Sequence, residues 1–322
     1  MRRHTIIKKQ LSNKSTIVDK PIITKYSRIQ YEEPIIKDMA IILVYFNPTN
    51  SIRIIQNILF VKNSLEICKI PFYIAELAFN DEPYLFTRAN NIFQYRTTSY
   101  MFYKENLIYS ILKFLPDTII KICTLDADIM YDNPKWYEII SNTLNTYNVC
   151  QPYNIAFRLN IDFTVYSYAQ SCIDASVNYS TGFAWAFKKD WFINNGFFEY
   201  AVIGGGDSIF YKYVMFHIQS TIYKSKIYND EYSKYLKTRE KSPPVCSINL
   251  NIYHLFHGLL DNRQYSTRHG LFEIKINSLN LSNISELFIR RDDNILEWNP
   301  KFKNEMNTFM KTYFMNRQDD SV

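Results

Sequence analysis

Eight consecutive apolar residues, Met39 to Phe46, run into Asn47-Pro48-Thr49-Asn50, and that combination narrows the folds open to this chain. A continuous apolar run closed by turn formers is a strand covered on both faces. From Ser51, a ready N-cap, Ile54, Ile55, Ile58, Leu59, Val61 and Leu65 recur at helical spacing. Residues 70–77 read as a second strand, with Pro71 tolerable at its start. Strand, helix and strand make a βαβ unit, whose parallel pairing demands a right-handed crossover. A second amphipathic stretch, Tyr103 to Leu115, stops at Pro116-Asp117 and delivers the chain into another apolar run, Thr118 to Leu125. The expectation is an α/β protein with a mixed central sheet flanked by helices.

That last run ends in Asp126-Ala127-Asp128, so two carboxylates lie at the C-terminal end of a strand, where open α/β sheets bind ligands. Side chains two apart on an extended chain share a face, and paired anionic oxygens suit a hard divalent cation that must also hold phosphate. Asp-X-Asp alone is as well explained by a turn or a helix cap. Three further segments shift the balance. Thr181-Gly182-Phe183-Ala184-Trp185-Ala186-Phe187 reads as an apolar strand, and Gly204-Gly205-Gly206-Asp207 opens the helix Ser208 to Phe216. Three of the chain's 7 glycines cluster there, which argues for a backbone that something approaches closely. A carboxylate at a helix start is held by cap and dipole, as a general base must be. The fourth segment is His254-Leu255-Phe256-His257-Gly258, two imidazoles three apart after a strand-like stretch, 247–253.

Between these landmarks, Asp132-Asn133-Pro134 opens a helix through Trp136, Ile139, Ile140 and Leu144, and residues 149–157 look extended. From Ile161 to Ser180 the pattern dissolves in polar and aromatic residues, so a mobile or substrate-facing loop is expected. A net charge of +6 is a mild excess, much of it in Arg2, Arg3, Lys8, Lys9, Lys14, Lys20 and Lys25, a solvated basic arm rather than a nucleic-acid platform. Five scattered cysteines show no pairing motif and read as reduced thiols. No apolar stretch is long enough for a signal peptide or for the roughly 20 residues that span a bilayer, so a cytoplasmic protein without a transmembrane segment is expected.

In this order the four segments resemble the glycosyltransferases of the GT-A fold, especially the galactosyl- and N-acetylgalactosaminyltransferase group. The resemblance runs from about Met39 to about Arg268 and implies a Rossmann-like nucleotide-sugar-binding domain over residues 38–270, between a basic N-terminal extension, 1–37, and a helical C-terminal one, 271–322. It implies a divalent cation, Mn²⁺ or Mg²⁺, with Asp126, Asp128, His257 and, more weakly, His254 as ligands. It places Phe46, Asn47, Pro48, Glu76, Lys104, Asp126, Asp128, Gly205 and Gly206 on the donor, a UDP-sugar. Asp207 stands where the family has its catalytic base, which implies an inverting hexosyl- or N-acetylhexosaminyltransferase acting on a carbohydrate, glycoprotein or glycolipid hydroxyl. Trp185 and Phe198 are the candidates for an aromatic acceptor platform, with Tyr166 and Tyr168 in reserve. Gly206 departs from the family, whose galactosyltransferases more often carry an acid there. Two other readings stay open: a metal-dependent nucleotidyltransferase, and a GT-A-like domain that binds carbohydrate or protein without turnover.

Overall fold

The structure, a computed structural model, describes residue 34, residues 36–218 and residues 226–321. The basic N-terminal arm therefore lies outside the described residues, apart from 34, 36 and 37. In chain order the strands are β1 (Met39–Phe46), β2 (Phe72–Phe79), β3 (Ile92–Thr97), β4 (Lys121–Leu125), β5 (Ile129–Tyr131), β6 (Val149–Gln151), β7 (Ile155–Leu159), β8 (Val165–Ser171), β9 (Tyr179–Ser180), β10 (Ala184–Lys188), β11 (Val245–Ser247), β12 (Asn251–His254), β13 (Phe288–Arg290) and β14 (Leu296–Trp298). The central sheet has seven strands in the order β11-β6-β10-β4-β1-β2-β3. It is mixed, because β10 runs antiparallel to both β4 and β6 while β1, β2, β3 and β4 are parallel.

The alternation along β1 shows why its apolar run is unbroken. Ala40 and Ile42 belong to the core on one face of the sheet, and Met39, Ile41 and Leu43 to the core on the other. Helices cover both sides: Ile52–Ile67 sends Ile58, Val61 and Leu65 into the second core, and Lys104–Leu112 sends Leu107, Ile108 and Ile111 into the first. The fold is thus mixed α/β with a mixed central sheet flanked by helices, as the residue pattern implied. Among the described residues no helix is long and apolar enough to cross a membrane.

Three expectations need correction. The strand expected from Thr118 begins only at Lys121: Ile120 is exposed, and the buried Lys121 ammonium takes Asp38, Ser141 and Asn145 as partners at 2.6, 3.0 and 2.8 Å. The short parallel strand β3, between the second strand and the next helix, was not legible from periodicity. The stretch 161–180, expected as a loop, instead carries β8 and β9, which extend a second sheet of order β5-β12-β7-β8-β9. Its half-buried strands mix polar and aromatic side chains, which blurs the period-two signal. Beyond residue 270 the chain forms the β13–β14 hairpin as well as the helix Lys303–Asn316, and it buries Trp298, Met306 and Met310 in the same core as Leu107.

Candidate active site

The second sheet brings the distant motifs together. β12 pairs antiparallel with β5 in a register that sets His254 opposite Ile129, and the Leu255 amide donates to the Asp128 carbonyl at 2.8 Å. The chain then turns at Gly258, whose positive φ of 90° suits glycine, and His257 swings back toward Asp128. His257 Nε2 stands 2.9 Å and His254 Nε2 3.6 Å from Asp128 Oδ2, and the two imidazole nitrogens are 3.1 Å apart. The other Asp128 oxygen, Oδ1, is buried without a hydrogen-bond partner. One carboxylate and two imidazoles with a spare buried oxygen form a donor set fit for a first-row divalent cation. Burial opposes charge on His254 and, outweighing the pull of Asp128, lowers its pKa to about 3; the neutral imidazole is the form that ligates. Burial would raise the Asp128 pKa, but the two histidines and Arg263 more than offset it and hold the carboxylate ionised.

Behind this cluster lies a shell the sequence did not announce. Arg263 Nη2 lies 2.6 Å from His257 Nδ1 and donates to the His257 carbonyl at 2.8 Å. Asp319, in the C-terminal tail, has Oδ1 3.9 Å from the same Nδ1 and 3.3 Å from Arg317. Its neighbour Asp320 accepts from Ser51 Oγ and from the Ile52 and Arg53 amides, which ties the tail to the start of the first helix. Sequence spacing offers no signal for an acid more than sixty residues beyond the histidine it supports.

Asp126 does not join the cluster, and this corrects the expectation that it is a ligand. Its Oδ1 meets Lys104 Nζ at 2.6 Å, and its Oδ2 accepts from the Phe183 amide at 3.2 Å, because β10 starts opposite the end of β4 before running back along it. Lys104 also reaches both oxygens of Asp207 at 3.1 Å. Burial works against the Lys104 charge, but Asp126, Asp207 and Glu105 together outweigh it and push its pKa well above the usual lysine range. Burial raises Asp126 to about 6, with Lys104 pulling the other way.

Asp207 lies in the first turn of the helix Gly206–Phe216. Gly204 and Gly205 hold φ of 85° and 91°, and the groups that approach them are the protein's own. A Cβ at Gly204 would stand 3.1 Å from Arg268 Nη1, and one at Gly205 2.8 Å from His269 Cε1. Gly206 is required for another reason: a Cβ there would overlap the buried carboxylate of Glu105. Burial, and next Asp207, raise the Glu105 pKa to about 8.

Phe46, Lys104, Asp126, Asp128, Gly205, Asp207, His254 and His257 all line one cleft of about 660 Å³. Others expected at the site do not. Glu76 is buried in β2, where its carboxylate accepts from the Leu85 and Phe86 amides and from Gln94, and so folds the loop over it. Asn47 is spent on Ser51, exchanging hydrogen bonds of 2.9 Å at the helix start, and Pro48 faces a smaller neighbouring pocket. Gly206 packs on Glu105 behind the cleft wall.

The acceptor candidates are corrected outright. Trp185 is 1% exposed, its indole N–H donates to the Thr181 carbonyl at 2.8 Å, and its ring packs edge-on against Phe210. It is a core residue because β10 lies inside the sheet, between β4 and β6. Phe198 is equally buried, at 3%, among tyrosines 228, 232 and 235. Tyr166 and Tyr168 do not line the cleft either; Tyr179 and Tyr211, at a ring separation of 5.6 Å, do.

No protein-family model matches the chain, and no curated protein matches it. It is similar in fold to several solved structures. A variant of Drosophila β1,4-galactosyltransferase 7, in complex with manganese, UDP-Gal and xylobiose, is 10% identical over 84% of this chain and 98% of that chain, with a TM-score of 0.41. S. aureus TarS is 11% identical over 87% of this chain and 71% of that one, at 0.40. Glucosyl-3-phosphoglycerate synthase from Mycobacterium tuberculosis, in complex with Mn²⁺, UDP and phosphoglyceric acid, is 10% identical over 82% and 87%, at 0.37.

Proposed function

We propose that the chain is a metal-dependent glycosyltransferase that moves a sugar from a UDP donor to a hydroxyl acceptor with inversion. The observation that carries this reading is the convergence, in one cleft, of the Asp128–His254–His257 cluster with the separate Asp126–Lys104–Asp207 array. Asp128, His257 and His254 would hold Mn²⁺ or Mg²⁺, which when bound neutralises a diphosphate and makes it a better leaving group. Lys104 is the permanent cation beside Asp126 and Asp207 and stabilises negative charge on the departing nucleotide. Asp207, oriented by its helix start and by Lys104, accepts the proton of the acceptor hydroxyl as the new glycosidic bond forms. Phe46 and Phe102 line the cleft on the side of the first strand, where a base would sit against an apolar wall, and Tyr179 and Tyr211 offer the ring faces a sugar acceptor needs.

A single metal-ligand cluster among the described residues favours sugar transfer over the two-metal chemistry common in nucleotidyl transfer. Mass spectrometry of the protein with Mn²⁺ and a panel of nucleotide sugars tests the proposal. Slow hydrolysis of one UDP-sugar is expected; release of pyrophosphate from a nucleoside triphosphate and a sugar phosphate would replace this reading with the nucleotidyltransferase.

A further inference from the structure

We propose that the acceptor carries an anionic group, phosphate or carboxylate, seated on Arg268 with Lys212 beside it. The inference rests on the reading above, in which the metal cluster marks the donor end of the cleft and Asp207 the acceptor end.

Arg268 is 8% exposed and lines the cleft wall against the Gly204–Gly205 turn. Its Nε donates to His269 Nε2 at 3.2 Å and its guanidinium lies 4.9 Å from the Tyr265 ring centroid, yet among the described residues no carboxylate pairs with it. The other buried cations of the cleft are engaged: Lys104 on Asp126 and Asp207, Arg263 on His257, and Arg317 on Asp319. A guanidinium kept so far from water without a counter-ion is costly, and a ligand anion is the partner that makes it worth keeping. Lys212 repeats the pattern more openly. It lies one helical turn beyond Ser208, so both face the cleft from the same side of the helix; its ammonium lies 5.8 and 5.4 Å from the Tyr211 and Phe216 ring centroids, and among the described residues no carboxylate pairs with it. The amides at the start of the helix Gly206–Phe216 add a dipole of the same sign.

Position decides which substrate owns the anion. Arg268 presses on Gly204 and Gly205, two residues from Asp207, while Arg263 and Arg317 serve the metal cluster. The charged group on Arg268 therefore belongs to the molecule that gives its hydroxyl proton to Asp207. Planar forked recognition by a guanidinium suits both phosphate and carboxylate.

Calorimetry on the full chain, first saturated with UDP and Mn²⁺, separates the cases. Glucose, glucose 6-phosphate and glucuronate are titrated as probes that share a ring and differ in charge. One charged sugar should bind at least about tenfold more tightly than glucose, the usual worth of a single charge-assisted contact, and which one it is distinguishes a phosphorylated from a uronate-type acceptor. Arg268→Gln should erase that preference, Lys212→Gln should reduce it, and Arg268→Lys should keep part of it, all with UDP affinity unchanged. Equal binding of the three sugars overturns the proposal, as does an Arg268→Gln variant that loses UDP instead. Failure of the wild type to bind UDP with Mn²⁺ would strike the donor reading itself, a separate outcome.

Discussion

Asp319 holds its carboxylate 3.9 Å from His257 Nδ1, so the C-terminal tail stands behind a ligand of the candidate metal centre, on the ring nitrogen opposite the one that faces Asp128. A carboxylate on that side favours the tautomer that carries its proton on Nδ1 and leaves Nε2 free to ligate, and loss of such a supporting group costs roughly 10–100-fold in metal affinity. Asp319→Ala should weaken Mn²⁺ binding by that order in a titration followed by calorimetry. Asp320→Ala is the control, because that side chain caps the helix Ile52–Ile67. It should cost about 1 kcal/mol of stability and leave Mn²⁺ affinity alone. The reverse pattern would remove Asp319 from the site.

Asp207→Asn preserves the shape of the side chain at the helix start but cannot accept a proton. Transfer should fall by roughly 10²–10⁴ while UDP-sugar affinity is nearly kept. A variant that transfers at close to the wild-type rate would place the base elsewhere and leave inversion without support.

Gly206 is required by Glu105 rather than by its own backbone, since its φ is not among the positive values of the turn. Gly206→Ala should destabilise the protein by about 1–3 kcal/mol through overpacking. Adding Glu105→Ala opens the space, so the double variant should recover much of that loss in a thermal-melt cycle. Additive effects would mean that the two residues do not compete for the same volume.

The same carboxylate makes stability fall with pH. Burial raises the folded-state pKa of Glu105 from 4.5 to about 8. Between those values the unfolded chain gives up a proton that the folded chain keeps, so ionisation favours unfolding across that window and adds nothing further above it. Glu105→Gln has no proton to lose. Its melting temperature relative to wild type should rise between pH 5 and pH 8; parallel curves would show that Glu105 is ionised in the fold at both.

Much of this was legible in local pattern. The unbroken run of β1, the helical spacing after Ser51 and the acids after β4 each depend on near neighbours, and the structure has all three. The convergence of Asp128 with His254 and His257 followed only from resemblance, because it depends on β5 pairing with β12, a contact across 121 to 125 positions in which neither strand announces its partner. The failures share one cause. Whether Trp185 lines a cleft or fills a core is decided by which strands flank β10, and apolar composition is the same in both cases. The resemblance placed Glu76 on the donor, but β2 runs on to Phe79 and buries it. Arg263 closes a single 3-10 turn, Arg268 opens the helix Arg268–Asn277 and Asp319 follows the last helix, and a polar side chain at such an end leaves no trace in apolar spacing.

The central claim is that Asp128 and the two histidines hold a cation needed for a nucleotide diphosphate. Calorimetric titration of UDP into the wild type and Asp128→Ala, each with Mn²⁺ and with EDTA, tests it most directly. Wild type should bind UDP with Mn²⁺ and lose at least about tenfold in affinity in EDTA, while Asp128→Ala should be weak in both. Wild-type affinity that is the same with Mn²⁺ and EDTA, and unchanged in Asp128→Ala, would contradict the metal-dependent donor site.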